Sequence, residues 1–203
     1  MARPPQQRRL ETRAKLIDVA REIIDAEGFS NLRVEDVVQR AGVAKGTLFS
    51  HFKDKDGLLA VIVGQQMTQF LDELEKLPPP TDIEALLSYI EPSLNYVASD
   101  RVIFDLLLRY SGSISNHSDE VITASFYRQI ELCAGWIAAL QANGVVRTTH
   151  SPALLSEGIQ AFLNQVLAIR FCQNTPTSEP ALNALRPFIQ AWLADETPKP
   201  GQD

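Results

Sequence analysis

Three histidines, two cysteines and one lysine set between glycines are the residues of this 203-residue chain that could do chemistry. His51 lies in a mixed apolar and polar stretch, His117 in a Ser/Asn-rich segment, and His150 just before Ser151-Pro152. None has a nucleophile and an orienting acid beside it, so no catalytic triad is expected. Cys133 and Cys172 form no Cys-x-x-Cys pair and have no neighbouring histidine, which removes the usual metal-ligand spacing. They read as reduced thiols packed like small hydrophobes, with a redox-sensing pair as the other reading. Gly42-Val43-Ala44-Lys45-Gly46-Thr47 has the composition of a phosphate loop, but the residue order is wrong and no buried strand precedes it. Gly112-Ser113-Ile114-Ser115 does not complete a nucleophile elbow. What remains is the polar set Lys45, Thr47, Ser50 and His51, interleaved with apolar Val43, Leu48 and Phe52. That arrangement can grip a polyanion; it has no means of transforming a substrate. The expectation is therefore no enzyme, no metal and no cofactor.

The elements that must position this set are short. Leu16, Ile17, Ala20, Ile23 and Ile24 recur at helical spacing from Arg8 to Glu27, and Gly28 follows where a helix end wants positive φ. Val34, Val37, Val38 and Ala41 predict a helix of barely two turns, stopped by Gly42, and a third short helix spans about Lys45 to Phe52. Two short helices joined by a glycine turn, behind a longer one, are the layout of a helix-turn-helix over about residues 32–51. Its second helix must be apolar on one side and polar on the other, because that helix enters the major groove.

Asp54 predicts the N-cap of a fourth helix running from Lys55 to about Leu77, ahead of Pro78-Pro79-Pro80. Ile83, Leu86, Leu87, Ile90, Leu94 and Val97 form an i, i+3, i+4, i+7 stripe that Pro92 should kink. Further helices are expected at about 101–110 and 119–142, the latter closed by Asn143-Gly144. Two more follow, from Ser151-Pro152 to about Gln173 and over about 179–195. No segment alternates with period two, so the fold class is all-α with about nine helices. The expected division is a DNA-binding domain over 9–69 and a larger helical domain over 70–203.

Net charge is −6, yet residues 1–55 hold 11 Lys and Arg against 8 Asp and Glu, while residues 56–203 hold 8 against 17. A basic head on an acidic body points to a polyanionic partner at one end, since phosphate attraction is local and screened within about 8–10 Å. Neither a secretory leader nor an apolar run of roughly 18 residues is legible, so a cytoplasmic protein without a membrane partner is expected.

The stretch Ala41-Gly42-Val43-Ala44-Lys45-Gly46-Thr47-Leu48-Phe49-Ser50-His51-Phe52-Lys53-Asp54-Lys55 resembles the hallmark of the TetR family of bacterial regulators. That hallmark is an Ala-Gly-Val-Ser turn, then Gly-Thr-Leu-Tyr, then His-Phe-x-x-Lys. The similarity covers roughly residues 10–60, and the nine-helix count fits the rest. It implies that Lys45, Thr47, Ser50 and His51 touch bases or phosphates, that Phe49 stands for a phosphate-bonding tyrosine, and that Lys55 pairs with the DNA backbone. This chain departs from the pattern in places. Phe49 has no hydroxyl and is left with apolar or thymine-methyl contact. Ala44 replaces a serine cap, and Val38 a small alanine. Leu32-Arg33 replaces the usual threonines, which makes Arg33 a candidate for the phosphate contact. Arg3, Arg8 and Arg9 are either an arm tracking phosphate or an ordinary disordered terminus.

In the acidic body, Tyr89, Tyr96, Phe104, Tyr110, Phe126, Cys133 and Trp136 are candidates for an apolar ligand cavity, since the resemblance implies one between these helices. The eighth helix is apolar nearly all round and the ninth adds a stripe. Leu155, Ile159, Phe162, Val166, Leu185, Ile189 and Trp192 are therefore expected at a two-fold interface between copies. Together these readings imply a homodimeric, ligand-responsive repressor that binds a palindromic operator in double-stranded DNA and is released by a small apolar or amphipathic molecule. A helical adaptor that binds protein through its acidic body, and a DNA-binding activator without a ligand, remain the alternatives.

Overall fold

The computed structural model describes residues 4–111, 120–172 and 179–195, and these hold helices and no strand. In chain order they are α1 (Pro5–Glu27), α2 (Val34–Ala41), α3 (Lys45–Phe52), α4 (Lys55–Leu74), α5 (Ile83–Ser99), α6 (Arg101–Tyr110), α7 (Glu120–Ala142), α8 (Pro152–Cys172) and α9 (Ala181–Leu193). A single 3-10 turn, Phe29–Asn31, which periodicity did not foretell, links α1 to α2. The described residues fall into two compact units. One lies within Met1–Gln66 and Val102–Thr123, the other within Met67–Arg101 and Ala124–Asp203.

In the first unit α1 buries Leu16, Ala20 and Ile23 completely, against Val37 and Ala41 of α2 and Leu48 and Phe52 of α3. Gly42 ends α2 in the left-handed region at φ 66°, its N–H bonding back to Gln39 O. A side chain there would be strained, which is why this turn takes glycine. Glu35 and Asp36 in the first turn of α2 and Arg40 in its last turn have the signs that suit the helix dipole.

In the second unit Asp82 caps α5, its Oδ1 accepting from Ala85 N at 2.8 Å, and Leu86, Leu87, Ile90, Leu94 and Val97 are buried. Pro92 is accommodated within the helix. Leu155, Ile159, Val166, Leu185 and Ile189, expected at an interface between copies, lie inside this unit at 5% exposure or less. They fill the packing between α8, α9 and α5, because the apolar band on α8 is wider than the α9 stripe and its deepest part turns inward. At the surface of the same two helices stand Leu154, Ile169 and Phe188, with Phe162 and Trp192 half-buried. Phe162 stacks on Phe188 at 5.4 Å and meets Trp192 edge-on at 6.0 Å. Trp192 lies so close to Gly158 that an added Cβ would come within 2.4 Å of its indole nitrogen, which donates to Leu155 O at 3.0 Å. The buried Arg147 closes the end of α9, its backbone N–H donating to Leu193 O and its Nε to Ala194 O.

α4 stops at Leu74, three residues before the expected end. Lys76 and Leu77 instead bond back to Glu73 and Leu74, the tight turn that often closes a helix, and Leu77 stays exposed because it has no core to enter. α9 starts at Ala181 behind Pro180 and tolerates Pro187 inside it.

Candidate nucleic-acid interface

The candidate surface is the outer side of α3, with the start of α2 and the start of α4 at its edges. Leu48 and Phe52 anchor α3 in the core, and helical geometry then turns Lys45, Gly46, Phe49 and Ser50 to the exterior. An added Cβ on Gly46 would meet nothing within 4 Å, so the protein's own packing gives no reason for glycine there. Glycine inside a helix costs roughly 1 kcal/mol relative to alanine. It is the residue expected where another molecule must come close to the helix backbone.

Lys45 Nζ lies 2.6 Å from Glu35 Oε1 and 5.8 Å from the centre of the Phe49 ring. The Lys45 hydrogen bond, followed by a backbone N–H, holds the Glu35 carboxyl below its ordinary range. This acidic partner on α2 was not foreseen. It aims the lysine across the front of the two helices and must share it with any phosphate. Ser50 Oγ donates to Thr47 O at 2.7 Å, leaving the hydroxyl oxygen able to accept, and Thr47 is half-buried. Arg33 is exposed at the head of α2, and Lys55 is half-buried at the head of α4. Phe49 is 39% exposed, a large apolar side chain on an otherwise polar face.

His51 is half-buried at the α1 side of α3. Burial, and then the charges of Arg9 and Arg13, hold its imidazole below the ordinary histidine value. Arg13, which the sequence reading passed over, donates from Nη1 to His51 O at 2.8 Å and lays its guanidinium 4.3 Å over the Phe52 ring. The end of α3 is set by two further contacts. Asp54 Oδ1 accepts from Gly57 N at 2.7 Å, and an added Cβ on Gly57 would sit 2.0 Å from Phe52 O. α3 and α4 therefore meet backbone to backbone. Arg109 adds an ion pair to Asp56 within the same unit, at 2.5 Å.

A second candidate site lies in the other unit, where a cavity of about 30 Å³ is lined by apolar groups including Met67, Ile90, Trp136 and Leu163. Among its described lining residues no side chain is charged; the polar ones are Ser93, Gln129, Ser156 and Gln160, with the thiol of Cys133. Gln129 Nε2 donates to Gln160 Oε1 at 3.0 Å, and Ser156 Oγ donates to Ile130 O at 2.9 Å. Burial pushes the Cys133 thiol up to about 11, against a smaller opposing effect of Ser156. Of the seven aromatic and thiol candidates, Cys133 and Trp136 line this cavity. Tyr89 supports it from behind, its ring 5.3 Å from Trp136 and its hydroxyl donating to Pro78 O. Tyr96 packs on the lining residue Phe70 at 5.6 Å, and Phe126 on Tyr127 at 5.9 Å. Phe104 and Tyr110 belong to the first unit. His117, the segment 112–115 and Arg3 fall outside the described residues.

Residues 16–62 match the family model of bacterial regulatory proteins, tetR family. Among curated proteins, an HTH-type transcriptional regulator of Staphylococcus aureus is 22% identical over 121 residues, 60% of this chain and 64% of that protein. The matched segment thus spans somewhat under two thirds of that relative's length. Among solved structures, a TetR-family transcriptional regulator from Pectobacterium atrosepticum superposes with a TM-score of 0.69 at 22% identity, covering 95% of this chain and 99% of that one. FadR of Thermus thermophilus, a TetR-family transcriptional repressor in complex with lauroyl-CoA, gives a TM-score of 0.63 at 21% identity, covering 94% and 100%.

Proposed function

From a chain whose residues 16–62 belong to the tetR family of bacterial regulatory proteins, we propose a ligand-responsive transcriptional repressor that binds a palindromic operator as a homodimer. The observation that carries the DNA-binding part is the outer face of α3. Lys45, Phe49 and Ser50 stand exposed around a glycine whose own surroundings are empty, while Leu48 and Phe52 fix the helix from beneath. A duplex entering there meets donors, an apolar contact and backbone at once, and Arg33 and Lys55 flank it for phosphate. Footprinting the purified protein on genomic DNA tests this reading. Protected palindromes with half-sites about 34–36 Å apart, one DNA turn, are the expected result. Uniform, sequence-independent protection would overturn it.

Dimerisation is assigned to the surface-facing apolar group on α8 and α9, around Phe162, Phe188 and Trp192. Stacked aromatics at a solvent-facing position are the composition that interface cores favour. For the effector, the uncharged lining of the cavity supports a neutral molecule with at most one or two hydrogen-bonding groups. A volume of about 30 Å³ holds no more than a water or two, whereas ligand pockets usually run to about 300–1,000 Å³. A ligand therefore enters by displacing side chains, which makes it a selector between two packings of this unit. Such coupling commonly amounts to about 1–3 kcal/mol, a 5- to 150-fold loss of operator affinity.

A further inference from the structure

We propose that Gln6 and Arg9 of α1, together with His51 of α3, form a seat for one phosphodiester of the DNA backbone beside the face of α3 that reads bases. The inference rests on the DNA-binding reading above and adds a contact from a helix outside the helix-turn-helix. An open groove of about 310 Å³ is lined by Gln6, Arg9, Leu10, Arg13 and His51. Arg13 is already committed within it, to the His51 carbonyl and the Phe52 ring. Arg9 and Gln6 have no hydrogen-bond or ion-pair partner among the described residues. The groove thus gathers a guanidinium and an amide donor that are uncommitted among the described residues, and an imidazole, around one opening, with Leu10 62% exposed at its rim.

His51 resists protonation in the free protein first because it is half-buried and then because two guanidinium charges, those of Arg9 and Arg13, face its imidazole. A phosphate oxygen entering between them brings a negative charge that offsets this repulsion. It accepts from Arg9 and Gln6 and favours the protonated imidazole, so binding should take up a proton. Such a contact carries no sequence information; it fixes the register of α3 in the groove.

The test uses the full-length protein and a 30-base-pair duplex of arbitrary sequence, because backbone contacts do not depend on sequence. Arg9→Gln should lower the magnitude of the slope of log affinity against log salt by about one unit for each seat lost. Wild-type affinity should rise as pH falls from about 8 to about 6, by up to about tenfold for each unit by which DNA raises the histidine value. His51→Gln should flatten that dependence. In the NMR spectrum the His51 ring resonances should move to their protonated position on adding duplex, and much less on adding inorganic phosphate alone. If the wild-type protein binds duplex with a steep salt slope that Arg9→Gln leaves unchanged, and His51 titrates alike with and without DNA, the seat is wrong and the DNA-binding reading stands. An equal response to inorganic phosphate would replace the DNA contact with a free-anion site. A wild-type protein that ignores duplex at low salt would overturn both proposals.

Discussion

At the scale of single residues, Gly46 separates stability from function. Gly46→Ala should stabilise the fold by up to about 1 kcal/mol, since the added methyl meets only open space and the helix gains propensity. The same methyl would stand between α3 and a docked duplex. The expected outcome is a higher midpoint in thermal unfolding together with weakened operator binding in a mobility-shift assay; undiminished binding would show that nothing approaches that surface. His51 gives a second expectation. Its folded value lies below its unfolded one, so the unfolded chain binds the extra proton first. The group therefore costs stability as pH falls through about 6.5, and the cost is absent at higher pH. Urea titrations of wild type and His51→Gln should diverge on acidification, with the variant losing less. The two thiols should also part company: exposed Cys172 should react quickly with a thiol reagent at pH 8, while buried Cys133 stays protonated and reacts only on unfolding.

At the scale of elements, helix ends were legible because their signals are local. Gly28, Gly42, Asp54 and Ser151 act within a few residues of where they stand, and α2 and α3 have the bounds read from spacing alone. Arg13 was not legible, since its partner His51 is 38 residues away and no periodicity records which guanidinium will reach which carbonyl. Glu35 escaped notice for the same reason, as did the inward turn of Leu155, Ile159, Val166, Leu185 and Ile189. An apolar band that wraps most of a helix states that it is covered without stating by what. The joint between α3 and α4 carries the clearest prediction here. Gly57→Ala places a methyl 2.0 Å from the Phe52 carbonyl and must push the two helices apart. A loss of more than about 2 kcal/mol in equilibrium unfolding is expected, among the larger effects of a single methyl. A shift below about 0.5 kcal/mol would mean that the joint yields freely.

At the scale of the whole molecule, association and ligand response are the properties to measure. Light scattering at micromolar concentration should give twice the mass of the 22.5 kDa chain, and Phe188→Glu should return the single mass without unfolding the protein, because that ring is 44% exposed. A matched series of twelve-carbon probes, one neutral alcohol, one carboxylate and one quaternary amine, tests the uncharged lining. The alcohol should release operator DNA, and the charged members should do so only weakly, since a buried unpaired charge carries a heavy desolvation cost. An ion that released DNA as readily as the alcohol would place its headgroup elsewhere.

The chain contains two tryptophans, and they fall at different places: Trp136 in the wall of the cavity, Trp192 on the aromatic group at the surface of α9. The protein therefore carries its own pair of optical reporters, one for each of these properties. Trp136, 6% exposed, should emit to the blue and be quenched or shifted by an occupant of the cavity. Trp192, half-buried, should move to the blue on dilution-reversible association. With one indole replaced at a time by phenylalanine, ligand occupancy and assembly become two separate colours in the same cuvette, read without a label.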